Sequence, residues 1–329
     1  MPTASKTSRT PKRAASSKPV NAPAPPGATP VQIGNKTLYV KNLTKILYPK
    51  TGFTKGDVID YYLKIAPTVL PYLKGRPLTL KRYPNGVTGM FFYEKRCPSH
   101  RPEWIETIEV WSEGNNEHLN YCAIDNTASL IWVANLASLE LHTLLSRGDH
   151  IDRPTMMVFD LDPGAPASII DCCRVGLLMR DLFAELGLQS FPKTSGSKGL
   201  HFYVPLNTPV TFDQTKECAH AIARLFERQH PDQVISSMSK SLRAGKVFVD
   251  WSQNDSHKTT VCPYSLRARE TPTVSTPITW DECKRTLKKG DPGLLHFEAA
   301  DVLRRVKAKG DLFEPVLKLR QRLPTAKSL

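Results

Sequence analysis

Residues 156–164 read MMVFDLDPG, and this stretch decides how the rest of the chain is interpreted. The apolar run at 156–159 is typical of a buried strand, and the Pro-Gly pair that closes the stretch would end it. Successive side chains of a strand point to opposite faces, so Asp160 and Asp162 project to the same side while the leucine between them faces the core. The stretch therefore predicts a buried strand with two carboxylates on one face.

This carboxylate pair has two interpretations. Two carboxylates held that close repel each other unless a cation or a proton lies between them. Oxygen ligands suit Mg²⁺ or Mn²⁺ and not zinc. An Asp-x-Asp pair at a strand end also occurs as two solvated turn aspartates, and the pattern by itself leaves both interpretations open.

The flanking sequence alternates between helix and strand signals. Capping-box spacings predict three helix starts: Thr54 with Asp57, Thr211 with Gln214, and Thr279 with Glu282. A fourth helix with an apolar stripe is predicted at 169–186, with Gly187 as its C-cap. Strands are predicted at 78–81, 201–204, 246–250 and 259–264. This mixture predicts an α+β fold with mixed or antiparallel sheets and with carboxylates on the sheet edges.

A second polar signal is the run TSGSKGLH at 194–201. Its glycines allow a close approach of the backbone, and its hydroxyls, its amides and Lys198 can contact phosphate oxygens. It lacks the G-x-x-x-x-G-K-[ST] spacing of a P-loop ATPase, and a flexible hairpin turn is the alternative. His201 opens the next strand and is predicted to share a face with Tyr203.

Two further patterns lie upstream and downstream. Residues 247–254 read VFVDWSQN, an apolar strand that ends in Asp250 and is followed by polar side chains. Basic residues at 81–82, 243, 246 and 267 are interleaved with aromatic residues at 83 and 91–93, as stacking on bases and clamping of phosphates require. Phe91 and Phe92 are adjacent in a predicted strand and point to opposite faces, so at least one of them is expected in the core.

The net charge of +14 is concentrated at the two ends of the chain. Residues 1–30 hold five basic and no acidic residues, and residues 284–329 hold 12 basic and five acidic residues. The 253 residues between them carry only +2. A polyanion site in the central region must therefore be a local patch, while the ends add nonspecific attraction to phosphate.

Composition predicts three segments. Residues 1–30 contain seven prolines and no aromatic residue, which predicts a flexible basic arm. Their Ser and Arg content also resembles a transit peptide, but the prolines disfavour the amphipathic helix that one needs. Residues 31–290 are predicted to form the main domain, and residues 291–329 a basic helical C-terminal extension.

Cysteine usage and hydropathy predict the compartment. The chain has seven cysteines, an odd number, and no C-x-x-C pair, which favours a reducing compartment over a disulfide framework. The run CPSH at 97–100 is half of a zinc pattern without its second half, so zinc is disfavoured. No apolar run approaches the roughly 20 residues that cross a bilayer. A soluble intracellular protein is expected.

The order of these motifs along the chain resembles that of the archaeo-eukaryotic primase superfamily, and within it the polymerase domain of bacterial ligase D, an end-joining repair enzyme. The motifs that carry the resemblance are FDLDP at 159–163, TSGSKGLH at 194–201, SLRAGKVFVDWSQN at 241–254, PYSLR at 263–267 and KRYPNGV at 81–87. The likeness covers about residues 35–285. The ligase motif K-x-D-G is absent, which predicts a stand-alone polymerase whose catalytic domain is the segment 31–290.

The resemblance implies a role for each matching position. Two divalent ions, Mg²⁺ or Mn²⁺, would be bound by three catalytic carboxylates: Asp160, Asp162 and Asp250. The incoming nucleoside triphosphate would be held by Lys81, Ser195, Lys198, His201, Arg243, Gln253 and Arg267, with His142 near the sugar 2′-hydroxyl. A pocket for the 5′-phosphate of the downstream strand would comprise Asn42, Lys45 and Lys55. Bases would stack on Phe92 and Tyr93, where the family usually has two phenylalanines.

The function implied is addition of ribo- or deoxyribonucleotides to primer 3′ ends at gaps and breaks during non-homologous end joining. Two alternatives remain open: a primase that starts strands de novo, and a non-catalytic factor that binds DNA ends. The expected partners are gapped, nicked or broken DNA with a 5′-phosphate, nucleoside triphosphates, and a separate DNA ligase and Ku-type end-binding protein. A monomer in a bacterial cytoplasm, associated with the nucleoid and not with a membrane, is expected.

Overall fold

The computed structural model describes residues 26–324, so most of the predicted basic arm lies outside the described residues. The predicted α+β class is confirmed, because seven α-helices accompany largely antiparallel sheets in the described part. The first strand begins at Thr29. None of the described helices is both long and apolar enough to cross a membrane.

The helices and strands follow one another in mixed order. The helices are α1 (Lys55–Leu73), α2 (Thr127–Asn135), α3 (Ile169–Glu185), α4 (Phe212–Gln229), α5 (Trp280–Lys289), α6 (Ala299–Lys309) and α7 (Pro315–Lys318). The first nine strands are β1 (Thr29–Ile33), β2 (Lys36–Val40), β3 (Ile46–Tyr48), β4 (Phe53–Thr54), β5 (Leu78–Arg82), β6 (Phe92–Glu94), β7 (Thr107–Ser112), β8 (Glu117–Cys122) and β9 (Ser138–Thr143). The others are β10 (Ser146–Arg147), β11 (His150–Pro154), β12 (Met156–Pro163), β13 (Phe191–Thr194), β14 (Leu200–Pro205), β15 (Val234–Ile235), β16 (Val247–Asp250) and β17 (Thr260–Val261).

Two sheets form the body of the fold. The first has the strand order β13-β14-β12-β16-β15, and only the β15–β16 pair is parallel. The second has the order β17-β9-β5-β8-β7, with β6 added on β5. Helices α3 and α4 pack against the first sheet and enclose one apolar core, and α1 and α2 enclose a second core with the other sheet.

The strand predicted from residues 156–164 is confirmed as β12, and each of its faces serves a different core. Phe159 and Leu161 are buried on the side of α3 and α4. Met156 and Val158 are buried on the opposite side, in the core that belongs to the second sheet. Towards the end of β12 this second face changes from apolar residues to carboxylates. The prediction that they lie on sheet edges is wrong, because β12 is the central strand and hydrogen-bonds on both sides.

The three capping boxes are confirmed at the starts of α1, α4 and α5. Helix α3 ends one residue earlier than predicted: its C-cap is Leu186, and Gly187 follows it with a left-handed φ of 71°. The strand predicted at 259–264 is shorter than expected and comprises β17 alone. Pro263 has no N–H for a ladder and Tyr264 has a φ of 66°, so extended pairing cannot continue.

The expectation that the cysteines form no disulfide is wrong for one pair. Cys97 and Cys122 are disulfide-bonded, while the remaining five cysteines are free and buried. Strands β6 and β8 both lie beside β5, so the chain that leaves β6 passes the end of β8, and the Cys97 N–H donates to the carbonyl of Asn120. The two cysteines are separated by 25 positions, which hides this proximity in the sequence.

The C-terminal helices pack on the rest of the chain. Glu282 on α5 accepts hydrogen bonds from Arg305 and Lys309 on α6, and its side chain is nearly buried. Val302 and Phe313 are buried in the core of the second sheet. The ion pairs of Glu282 therefore join α6 to α5, and apolar packing holds α6 against α1.

One buried side chain joins the turn after β16 to β12. Asn254 lies in a 3₁₀ turn at Ser252–Asn254 and is fully buried. Its Oδ1 accepts from the N–H of Val158 at 2.8 Å, and its Nδ2 donates to the carbonyl of Val158 at 2.7 Å. The amide thus takes the place of a strand neighbour at the point where β16 has ended, and it fixes where residues 250–253 lie.

Replacing this amide should destabilise the fold. We expect Asn254→Ala to lower the free energy of unfolding by about 2–4 kcal/mol, because it leaves the buried N–H and carbonyl of Val158 without partners. Urea denaturation followed by circular dichroism measures the change. Asn115→Ala, in an exposed turn, is the control and should have little effect. Equal stability of the two variants would contradict this assignment.

Candidate active site

Four side chains form a row across four neighbouring strands of the first sheet. The register pairs Lys193 on β13 with His201 on β14, His201 with Asp160 on β12, and Asp160 with Asp250 on β16. Residues directly opposite each other on paired strands project from the same face of a sheet. Asp162, two residues along β12, shares that face. The structure thus brings together the three carboxylates that the sequence singled out.

Each carboxylate contacts polar partners within reach. Asp160 Oδ1 lies 3.2 Å from His201 Nε2. Asp162 lies 3.3 Å from Lys198 Nζ and 3.6 Å from a guanidinium nitrogen of Arg243. Asp250 accepts hydrogen bonds from the Ser252 and Gln253 side chains. With the side chains turned to these donors, no three His, Cys, Asp or Glu side chains among residues 26–324 are gathered closely enough to enclose a metal ion.

The carboxylate at the centre of the row is held in its ionised form. Burial alone would raise the pKa of Asp160, but the charge and hydrogen bond of His201, with the charge of Lys193, lower it below its usual range. Burial in turn lowers the pKa of His201. At neutral pH Asp160 therefore carries a negative charge beside an imidazole whose pKa lies below its usual value.

The Ser/Gly/Lys motif forms the turn of the β13–β14 hairpin. Ser195 Oγ accepts hydrogen bonds from the N–H groups of Ser197 and Gly199, both at 3.2 Å. A Cβ on Gly199 would lie 2.1 Å from the carbonyl oxygen of Leu161, so only glycine lets the turn pack this closely on β12. This packing places Lys198 beside Asp162.

A cavity of about 560 Å³ lies between the two sheets, above the row. Nine of the residues predicted from the sequence line it: Tyr93, His142, Asp160, Asp162, Ser195, Lys198, His201, Gln253 and Arg267. Its wall also includes residues that the sequence did not single out, among them His257 and Lys258. These two follow the carboxylate turn without a recognisable spacing, and only the return of the chain to β17 brings them to the cavity.

Predicted residues outside the cavity wall remain next to it. Arg243 contacts Asp162, and its guanidinium lies 3.6 Å from the ring centroid of Phe248. Lys81 lies opposite Tyr93 in the register, with its ammonium 5.4 Å from that ring. Asp250 is not part of the cavity wall, but it lies opposite Asp160, which is.

The expectation that Phe91 or Phe92 lies in the core is wrong. The side chains of Phe91, Phe92 and Tyr93 are 49%, 43% and 56% exposed. Strand β6 pairs only with β5 and nothing covers its outer side among the described residues, so neither face of this short strand is buried. All three aromatic rings are therefore exposed, and that of Tyr93 lines the cavity.

Two functional candidates were missed in the sequence. Lys193 is fully buried; its Nζ lies 3.1 Å from His201 Nδ1 and donates to Ser275 Oγ at 2.6 Å. Glu140 on β9 is 2% exposed and lies opposite Lys81. Its alternation with His142 along β9 was the available signal, since residues i and i+2 of a strand share a face.

A second basic cluster lies at the start of α1. The N–H of Lys55 donates to the carbonyl of Lys45, and the N–H of Lys45 donates to the carbonyl of Asn42, so backbone hydrogen bonds hold the three predicted residues together. Burial and the charges of Lys45 and Arg82 lower the pKa of Lys55 to about 8. Several cations that repel one another beside a helix N-terminus favour binding of an anion.

Comparison with known proteins gives concordant results. Residues 54–313 match the family model of the LigD primase-polymerase domain. The chain is 44% identical over 277 residues to the multifunctional non-homologous end joining protein LigD of Mycolicibacterium smegmatis, covering 84% of this chain and 35% of that protein. It is 31% identical over 278 residues to the bifunctional LigD of Bacillus subtilis, covering 83% of this chain and 43% of that protein. It thus spans well under half the length of these relatives.

A solved structure agrees with the sequence matches. The polymerase domain of Mycobacterium tuberculosis ligase D, in complex with DNA, superposes with a TM-score of 0.80 at 40% sequence identity. The match covers 86% of this chain and 99% of the solved chain. The likeness therefore extends over the whole of that domain.

The buried lysine of the row should give stability a specific pH dependence. Burial and the charge of Arg267 lower the pKa of Lys193 to about 7. Between pH 7 and the usual lysine pKa the unfolded chain binds the extra proton, so stability rises with pH. Relative to Lys193→Met, the unfolding free energy of the wild type should rise by up to about 1.4 kcal/mol per unit between pH 7 and 9. The control is Lys258→Met, at an exposed position; parallel curves for the wild type and Lys193→Met would contradict the assignment.

Proposed function

The chain belongs to the LigD primase-polymerase domain family, and on this premise we propose that it is a metal-dependent, template-directed nucleotidyltransferase. It adds ribo- or deoxyribonucleotides to primer 3′ ends at gaps and breaks in DNA during non-homologous end joining. The observation that carries the proposal is the set of three carboxylates on one sheet face beside a cavity lined by cations and hydroxyls.

The carboxylates fit divalent metal ions. Asp160 and Asp250 are directly opposed across two strands, Asp162 shares their face, and all their donor atoms are oxygens, as Mg²⁺ and Mn²⁺ prefer. Lys198 and Arg243, which contact Asp162, can turn to phosphate oxygens instead. We therefore assign the three aspartates as the residues that would hold two divalent ions. When bound, such ions polarise the reacting phosphate and stabilise the charge that develops on it.

The cations of the cavity would hold the triphosphate. Lys198, Arg243 and Arg267 approach the row from three separate segments of the chain, so they can neutralise phosphates that lie above it. An Nη of Arg267 donates to the carbonyl of Ser195, which fixes the arginine against the hairpin turn. His201 would keep Asp160 oriented through its Nε2. The contribution of these residues is positioning and electrostatic stabilisation.

The exposed aromatic rings of β6 suit nucleic-acid bases. Phe92 and Tyr93 are exposed, and each has a neighbouring cation: Arg82 lies over the first ring and Lys81 over the second. Stacking on such rings tolerates any base, because every base presents a π-face. His142, in the cavity wall, would contact the sugar of the nucleotide.

The cluster at the start of α1 would hold the 5′-phosphate of the downstream strand. Lys45 Nζ donates to Asn85 Oδ1 at 3.0 Å and is otherwise exposed to an incoming anion. Gapped, nicked or broken DNA with a 5′-phosphate and nucleoside triphosphates are therefore the proposed substrates. A separate DNA ligase and a Ku-type end-binding protein are the proposed partners of a monomeric, nucleoid-associated protein.

The decisive experiment offers DNA and nucleotides together. The protein is incubated with Mn²⁺ or Mg²⁺, labelled ribo- and deoxyribonucleotides, and a gapped duplex with or without a 5′-phosphate. Templated extension of the primer supports the proposal. Binding to DNA ends without incorporation would replace it with a non-catalytic end-binding role, and equal synthesis on unprimed template would replace it with de novo priming.

Removing a carboxylate charge should abolish synthesis. We expect Asp160→Asn and Asp250→Asn to lower primer extension at least about 100-fold, because a group that stabilises transition-state charge is worth this much, while DNA binding remains. Primer extension assays and fluorescence anisotropy measure the two properties. Asp152→Asn, at an exposed position of β11, is the matched control. Undiminished incorporation by either variant would exclude that residue as a ligand.

Removing a cation at the start of α1 should affect DNA recognition selectively. We expect Lys45→Ala to reduce the preference for phosphorylated over unphosphorylated gaps by about fivefold to tenfold, as expected for loss of one charge-assisted hydrogen bond. Competition binding with the two gapped duplexes measures the ratio. Lys64→Ala, at an exposed position of α1 and paired with Asp60, is the control. The pocket assignment fails if the wild type binds both gaps equally.

A further inference from the structure

Glu140 is a buried carboxylate in the cavity region that receives donors from three segments of the chain. Its Oε2 lies 2.9 Å from His142 Nε2 and 3.3 Å from Arg267 Nε. Its Oε1 accepts from the N–H of Ala268 at 3.1 Å and lies 3.5 Å from Lys81 Nζ. The family resemblance implies that all three side chains bind the nucleotide, so Glu140 contacts nucleotide-binding groups while it is not itself part of the cavity wall.

The carboxylate of Glu140 is ionised at neutral pH. Burial alone would raise its pKa, but the hydrogen bond from His142 and the charges of Arg267 and Lys81 hold the pKa well below the usual range. An ionised carboxylate can only accept hydrogen bonds. The 2.9 Å contact with His142 therefore requires a hydrogen on Nε2 of that ring.

This requirement sets the chemistry of the other ring nitrogen. Burial lowers the pKa of His142, so the imidazole is neutral and carries a single N–H. With that hydrogen on Nε2, Nδ1 has a free lone pair. Among residues 26–324, no hydrogen-bond donor is placed at His142 Nδ1, and the ring forms part of the cavity wall. A ligand that reaches Nδ1 from the cavity would thus meet a hydrogen-bond acceptor.

We propose that Glu140 is a positioning residue for sugar selection: it fixes His142 as the Nε2-protonated tautomer, so that the site favours a nucleotide whose 2′ substituent donates a hydrogen bond. This inference rests on the proposed function, because it specifies the substrate class of the same site. Glu140 also lies between the positive charges of Lys81 and Arg267 and keeps both near the cavity.

The tautomer can be read without any enzymatic reaction. Nitrogen-15 chemical shifts of the His142 ring, assigned by comparison with His142→Ala, distinguish a protonated from an unprotonated nitrogen. We expect Nε2 protonated and Nδ1 unprotonated in the wild type at pH 7. A protonated Nδ1 in the wild type overturns the proposal.

Sugar selection is tested with three nucleotides that differ at the 2′ position. A hydroxyl donates a hydrogen bond, whereas fluorine and hydrogen do not. We expect the wild type to use the ribonucleotide about fivefold to tenfold more efficiently than both the 2′-fluoro and the 2′-deoxy nucleotide. Comparable use of the 2′-fluoro and ribonucleotide would mean that His142 donates, and it overturns the proposal.

Variants separate positioning from a merely structural role. In Glu140→Gln the side-chain amide can donate to Nε2 of His142, so the hydrogen of the ring is no longer confined to Nε2. The efficiency with the ribonucleotide relative to the 2′-fluoro nucleotide should then fall towards one. In a His142→Ala background the same change should leave the ratio unaltered, because the effect passes through that ring. Glu282→Gln removes a nearly buried carboxylate elsewhere that is also paired with two cations, and it should keep the wild-type ratio.

The outcomes distinguish this proposal from the function on which it rests. Incorporation by the wild type with an unchanged ratio in Glu140→Gln overturns the role of Glu140 alone. Absence of any incorporation by the wild type overturns the proposed function, and sugar selection with it. If Glu140→Gln does not fold, the wild-type ring shifts and the wild-type 2′-fluoro comparison still decide the question.

Discussion

The candidate site depends on the register of four strands. A strand that slips by one residue turns every side chain to the opposite face, so the pairing of β13, β14, β12 and β16 is what aligns Lys193, His201, Asp160 and Asp250. Apolar residues that alternate with these polar ones, such as Leu161, are buried against the helices and resist such a slip. Burial of the apolar face against the helices thus determines which polar side chains lie together on the opposite face.

The two-sided burial of β12 explains where the cavity lies. Most of the strand is apolar on both faces because each face belongs to a separate core, one shared with α3 and α4 and the other with the second sheet. Only near its end do carboxylates replace apolar residues on the face towards the second sheet. The sheets cannot close there without burying unpaired charge, and a polar cavity remains between them.

The charge distribution in the cavity also depends on a row of side chains on the facing sheet. Tyr93, Lys81 and Glu140 are opposed across β6, β5 and β9, and His142 follows two residues along β9. This sheet contributes cations, aromatic rings and one buried anion, while the first sheet contributes most of the carboxylates. A negatively charged nucleotide between them would meet positive side chains from both sides, and metal ions on the aspartates would complete the balance of charge.

Local patterns in the sequence determined several helix starts, the carboxylate strand and the chemical character of the site. The capping boxes, β12 and the shared face of Asp160 and Asp162 follow from spacing alone, since they depend on residues within a few positions. Tertiary structure decided whatever depends on pairing between distant segments. The Cys97–Cys122 disulfide, the central place of the carboxylate strand, the exposure of Phe91 and the buried contacts of Lys193 and Glu140 all arise there, because neither strand order nor coverage of a face is encoded in neighbouring residues.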